Sequence, residues 1–208
     1  MLAAGALIAA TLAPRSGAAE YNEQTLYRFC SQSNCADGAT PYAGLIMDGA
    51  GNLYGTTLGN GTINQGVVFQ LTPDQTGTAW TETVLYRFCS QTNCADGAYP
   101  EAGLIMDEAG NLYGTTYYGG IGGSGVVFRL TPDQTGTAWT ETVLYSFCSQ
   151  TDCADGATPS AGLIMDRAGN LYGTTAFGGI FAGLLNGHGV VFALNASLTA
   201  RDQRAPQR

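Results

Sequence analysis

Lysine is absent from this chain of 208 residues, and histidine occurs once. All eight basic residues are arginine; they face sixteen acidic ones, leaving a formal net charge of −8. A surface of that sign repels phosphate backbones and anionic headgroups, which argues against nucleic acid and membrane surfaces as partners. Charged residues are scarce at 12 %, and no long run of strong helix formers follows the N-terminus. EF-hand, P-loop, nucleophile-elbow and zincin motifs are missing, as is the redox spacing Cys-x-x-Cys, so nothing calls for a cofactor or a metal. What is plentiful is glycine, 30 residues beside 7 prolines, the composition of many short elements joined by tight turns.

The N-terminus reads as an export signal. Leu2 to Ala13 is apolar, then come Pro14, Arg15 and the small-residue run Ser16-Gly17-Ala18-Ala19. Gly17 and Ala19 suit the −3 and −1 positions of a signal-peptidase site, which predicts a signal peptide over 1–19 and a secreted or surface-displayed mature chain. The departure from the pattern is a missing positive charge before Leu2. A retained anchor is the alternative, but an apolar run of about 12 residues is short for a bilayer. No second candidate span follows, and the polar tail over 198–208 is expected to be disordered.

Internal repetition is the strongest signal. Cys30, Cys89 and Cys148 recur every 59 residues, as do Cys35, Cys94 and Cys153, and Asp48, Asp107 and Asp166. Residues 66–107 and 125–166 align without a gap and differ at five of 42 positions. The third copy carries a five-residue insertion within Ile180 to His188. Each copy holds four strand-like runs. In the middle copy these are Ala102–Asp107, Leu112–Thr116, Gly125–Leu130 and Thr140–Phe147, called a to d. Between them lie Asp107-Glu108-Ala109-Gly110-Asn111, a Gly-rich loop, and Thr131-Pro132-Asp133-Gln134-Thr135-Gly136, all with turn chemistry. Alternation in strand d places Val143, Tyr145 and Phe147 on one face. Repeated groups of four short strands give propeller blades or a β-solenoid, and 59 residues per unit suits a blade. The expected fold is all-β: repeats of about 21–79, 80–138 and 139–197 form propeller-like blades within a 20–197 domain. The ends are out of phase with the blade. A d-type segment, Gln24 to Phe29, opens the domain and a c-type segment, Val190 to Leu194, closes it. Three arrangements fit: a fragment of a longer array or an open arc, which rank first, and half of a six-bladed ring, a homodimer, which ranks second.

The run Asp-Gly-Ala-x-Pro-x-Ala-Gly-Leu-Ile-Met-Asp-x-Ala-Gly-Asn-Leu-Tyr-Gly-Thr-Thr, followed by Gly-Val-Val-Phe-x-Leu, occurs three times. It resembles the bacterial GloVer-type ("choice-of-anchor") tandem repeat over residues 21–196. Its core, Asp-x-x-Gly-Asn-Leu-Tyr, is also similar to the a–b hairpin of NHL-type propellers. The resemblance implies a secreted or surface-displayed propeller-like protein and no established reaction.

Each Cys-x4-Cys pair (Cys30/Cys35, Cys89/Cys94, Cys148/Cys153) lies between strand d and the next strand a. In an exported chain the pairs read as local disulfides; zinc would need two pairs to meet. The recurring Asp48, Asp107 and Asp166, and Asp37, Asp96 and Asp155, are open to calcium or acid–base roles but read more simply as turn residues bonding their own backbone. His188 has no partner in sequence.

Antiparallel strands put loops d–a and b–c at one end of each blade and a–b and c–d at the other. The second end is nearly invariant between copies. The first is diversified: Tyr42, Glu101 and Ser160 are equivalent, then Leu58, Tyr117 and Ala176, then Gly59, Tyr118 and Phe177. Tyr42, Glu101, Tyr117, Tyr118, Phe177 and His188 therefore form the candidate ligand-binding set, an aromatic and weakly polar surface suited to carbohydrate or peptide. The expectation is a binding module without catalysis. A metal-dependent propeller hydrolase of the sugar-lactonase type and a purely structural envelope or matrix protein are the alternatives.

Overall fold

A computed structural model describes residues 21–59, 65–179 and 187–196. The predicted signal peptide, tail and most of the five-residue insertion lie outside the described residues.

The chain is all-β, with three antiparallel sheets of 4, 4 and 3 strands in sequence order. The first contains β1 (Ile46–Met47), β2 (Leu53–Thr57), β3 (Val67–Pro73) and β4 (Trp80–Arg87). The second contains β5 (Ile105–Met106), β6 (Leu112–Thr116), β7 (Val126–Pro132) and β8 (Trp139–Ser146). The third contains β9 (Ile164–Met165), β10 (Leu171–Thr174) and β11 (Val191–Leu194). Single-turn 3-10 helices at Ser33–Cys35, Thr92–Cys94 and Thr151–Cys153 sit inside the cysteine loops. No described helix is long and apolar enough to cross a membrane.

The a–b turn is held by its aspartate. Asp48 accepts from the Ala50 and Asn52 amides at 2.9 Å each, from Asn52 Nδ2 at 2.8 Å and from the Tyr54 hydroxyl at 3.0 Å. Asp107 and Asp166 repeat this set. The c–d turn is held the same way: Asp74 and Asp133 each accept from the amides of the following threonines and alanine. These aspartates are local turn formers.

Successive sheets pack face to face. One buried cluster joins Tyr54 and Val68 of the first sheet to Leu104, Leu112, Val126, Phe128 and Leu130 of the second, with Phe88 between them. Another joins Val127 and Phe147 to Leu163 and Leu171 of the third. At the inner edge the Thr56 hydroxyl donates to the Ala102 carbonyl and the Thr115 hydroxyl to the Ala161 carbonyl, so the same bond links each sheet to the next. Apolar burial between neighbours is the main stabilising term, as in any stacked repeat array.

Two expectations are corrected. Val143, Tyr145 and Phe147 do not share a face. The β7–β8 register runs Val127↔Tyr145 then Phe128↔Val143, which leaves Leu144 as the extra residue of a bulge. Val143 consequently packs toward the first sheet while Tyr145 and Phe147 pack toward the third. The d-type segment Gln24–Phe29 forms no strand, because no described c-type strand precedes it to share a ladder.

Candidate functional site

The diversified end of each blade is built on a fixed backbone. Ala39 bridges Gly59, Ala98 bridges Tyr118 and Ala157 bridges Phe177, tying loop d–a to loop b–c in every copy. The amides of Leu58, Tyr117 and Ala176 donate to the carbonyls of Thr40, Tyr99 and Thr158, at 3.0, 2.9 and 3.1 Å. These bonds use no side chains, so the side chains at these positions can change without loss of the frame.

Behind that frame each cysteine loop is closed twice. Cys30–Cys35, Cys89–Cys94 and Cys148–Cys153 are disulfides, and no described cysteine is free. Asp96, fully buried, accepts from the Tyr86 hydroxyl, the Ser90 amide and the Ser90 hydroxyl at 2.8 Å each, and from the Gln91 amide at 3.2 Å. Asp37 and Asp155 make the equivalent bonds through Tyr27 and Tyr145. Burial alone would raise the carboxyls of Asp37 and Asp155, but these donors outweigh it and hold both below the ordinary carboxylate value. The second aspartate of the repeat is thus a buried anchor between strand d and the loop, a larger role than its Asp-Gly turn pattern implies.

Four side chains of the middle repeat come together on this frame. Tyr117 and Tyr118 pack edge to face with centroids 4.6 Å apart, and Tyr118 meets Tyr99 in the same manner at 5.9 Å. Glu101 lies close enough to act on Tyr117: burial, then Tyr118 and Glu101, raises the Tyr117 phenol above its ordinary value. Burial raises the Glu101 carboxyl as well. Thr158 acts on the same phenol in the opposite direction, so the cluster lies at the seam between the second and third repeats.

Tyr99 was not among the predicted site residues. The signal was available, since Tyr99 stands where the other two copies have threonine, Thr40 and Thr158. All three hold positive φ, at 60°, 57° and 53°, each just before a proline. Threonine and tyrosine are costly there, so the loop over-determines this kink. Tyr42 lies exposed on the first repeat, and Phe177 and His188 lie on the third, His188 exposed. No ring contact among the described residues joins Tyr42 or Phe177 to the tyrosine cluster. Two grooves, of about 280 and 420 Å³, open at the opposite, invariant end, around Tyr113 with Arg129 and around Tyr54 with Trp139. Among the described residues no three His, Cys, Asp or Glu side chains gather into a metal-ligating group.

Antiparallel units of four, four and three strands, stacked face to face with one loop end pinned and its side chains diversified, define a propeller-like repeat protein. The chain belongs to the Gloeobacter/Verrucomicrobia repeat family, whose model matches residues 15–202. No curated protein matches it.

Proposed function

We propose that this is an extracellular or surface-displayed recognition module whose ligand, a carbohydrate or an extended peptide, docks on the Tyr99–Glu101–Tyr117–Tyr118 cluster without chemical conversion. One observation carries the reading. The bonds that fix this loop end are repeated in all three copies, whereas the side chains mounted on it are not. A repeated frame bearing varied aromatic side chains is how rigid scaffolds present recognition surfaces. The tyrosines offer ring faces for sugar or peptide packing and hydroxyls for hydrogen bonds, and Glu101 adds one acceptor. Three disulfides and the absence of a membrane-length helix among the described residues are compatible with secretion.

Glycan and peptide arrays probed with the purified chain test the proposal. Tyr117→Ala combined with Tyr118→Ala removes capture while melting remains cooperative. Undiminished capture by the double variant would overturn the assignment of the face. Turnover of a lactone panel by the unmodified chain would overturn the non-catalytic reading.

A further inference from the structure

The two ends of the repeat array expose the same surfaces that its interior buries. Val68 and Val127, first apolar pair of the c strands, are fully buried; their equivalent Val191 on β11 is 83 % exposed. Leu104 and Leu163 are 3 % exposed, whereas their equivalent Leu45 in the first repeat is 49 % exposed. Pro100 and Pro159 are buried against Gly66 and Gly125 of the preceding repeat, but Pro41 is exposed. Thr56 and Thr115 bond the next repeat, and Thr174 is left in solvent.

Each end also carries half of a ladder. β3 pairs with β4 and β7 with β8, but among the described residues β11 pairs with β10 alone. Residues 195–208 contain no copy of the d-strand sequence Thr-Glu-Thr-Val-Leu-Tyr. That sequence has its counterpart instead at 22–27, Asn-Glu-Gln-Thr-Leu-Tyr. The segment is already seated as strand d is seated elsewhere. Tyr27 donates to Asp37 at 2.9 Å, as Tyr86 does to Asp96, and Phe29 packs edge-on to Phe69 at 4.7 Å, as Phe88 does to Phe128 at 4.9 Å. No c strand among the described residues shares its backbone bonds. A groove of about 320 Å³ runs along the open edge of β11, lined by Val190–Leu194 with Tyr145 and Asp155.

We propose that β11 of one copy of this chain takes up residues 23–28 of a second copy as a fourth strand, joining copies head to tail. The seam between copies then repeats the seam between repeats, with Leu45, Pro41 and Val191 buried in it. The internal ladders set the register. Val67↔Arg87, Val68↔Tyr86, Phe69↔Val84, Gln70↔Thr83 and Leu71↔Glu82 translate into Val190↔Arg28, Val191↔Tyr27, Phe192↔Thr25, Ala193↔Gln24 and Leu194↔Glu23. Strand addition at an open edge supplies main-chain bonds for affinity and alternate side-chain contacts for register. A head-to-tail contact closes into a ring where the rotation per copy allows and otherwise grows as an open chain.

Light scattering of the purified chain over a dilution series reads the association. The expected result is a mass of two or more chains that falls on dilution. Val191→Asp weakens association by about a hundredfold, because an unpaired carboxylate would be buried in the seam. It leaves the single copy folded, since this position faces solvent there. Gln24→Cys and Ala193→Cys, purified separately and mixed under oxidation, form a mixed disulfide that neither forms alone. A mass of one chain throughout, with native circular dichroism, overturns the proposal. So does a Gln24→Cys or Ala193→Cys variant that cross-links alone as readily as in the mixture.

Discussion

At the scale of single residues, the side chains that set the pH dependence of stability are buried and partly buried acids, and they pull in opposite directions. Burial, then Asp37, raises the Glu82 carboxyl to about 7, with Arg87 opposing. Burial, then Asp96, does the same for Glu141. One carboxylate oxygen of each is buried without a hydrogen-bond partner. The folded state therefore keeps protons that the unfolded chain, near its ordinary 4.5, has released. That stabilisation is full below the unfolded value and is lost as pH rises through about 7. Asp37, Asp48, Asp107 and Asp155 have the opposite sign: held below the ordinary 3.8, they stabilise above it and lose that contribution as pH falls below it. The melting temperature should accordingly fall between about pH 5 and about pH 8. Glu82→Gln with Glu141→Gln should flatten that slope, and a slope unchanged in the double variant would contradict the assignment. Asp96→Ala strands three donors in the second cysteine loop and should cost about 2 kcal/mol in a denaturant titration. In the sequence Asp96 looked like an ordinary Asp-Gly turn. Its bond to Tyr86, ten residues away, depends on where strand d ends, which local pattern does not specify. Tyr99, by contrast, was legible: it is one of the five differences between residues 66–107 and 125–166.

At the scale of elements, the strands were readable because their punctuation is chemical. Asp-x-Ala-Gly-Asn and Pro-Asp-Gln-Thr-Gly state where the chain reverses, and β2, β3, β6 and β7 follow directly. The bulge at Leu144 was not readable. It arises from cross-strand register, and its consequence, Val143 and Tyr145 facing different sheets, inverts a simple alternation. The mid-strand glycine of Leu-Tyr-Gly-Thr-Thr was also opaque until the partner strand was in place. A Cβ at Gly114 would lie 2.7 Å from Phe128 Cζ and 3.0 Å from Leu104 Cδ2; Gly55 faces the equivalent Phe69 and Leu45, and Gly173 the equivalent Phe192 and Leu163. The cross-strand phenylalanine lies over that glycine. Gly114→Ala should therefore cost about 1–3 kcal/mol despite improving strand propensity, measurable as a lower denaturation midpoint at constant slope. The cysteine loops behave as separate small elements. Cys89→Ser with Cys94→Ser should cost about 2 kcal/mol by the loop-closure argument. It should leave the Ala98–Tyr118 bridge in place, because that bridge uses only backbone atoms.

At the scale of the whole molecule, stability is shared between neighbours, so position along the array matters more than residue identity. The middle sheet contributes Phe128 to one inter-sheet cluster and Val127 and Phe147 to the other. Among the described residues the third sheet packs against one neighbour, and Phe192, equivalent to the fully buried Phe128, is partly buried. In a nearest-neighbour array, units with two interfaces open last and end units fray first. Phe128→Ala should cost about 3–5 kcal/mol, and Phe192→Ala less, although the two residues occupy the same place in their repeats. Hydrogen exchange reads the gradient without mutation. Amides of β6 and β7 should exchange slowest, and those of β10 and β11 fastest among the strands. Copies joined head to tail would alter one part of this pattern only. Raising the protein concentration would slow exchange in β11 and in residues 23–28 together, and leave β6 and β7 unchanged. Slowing confined to one of those two segments would mean that whatever covers it is not the other.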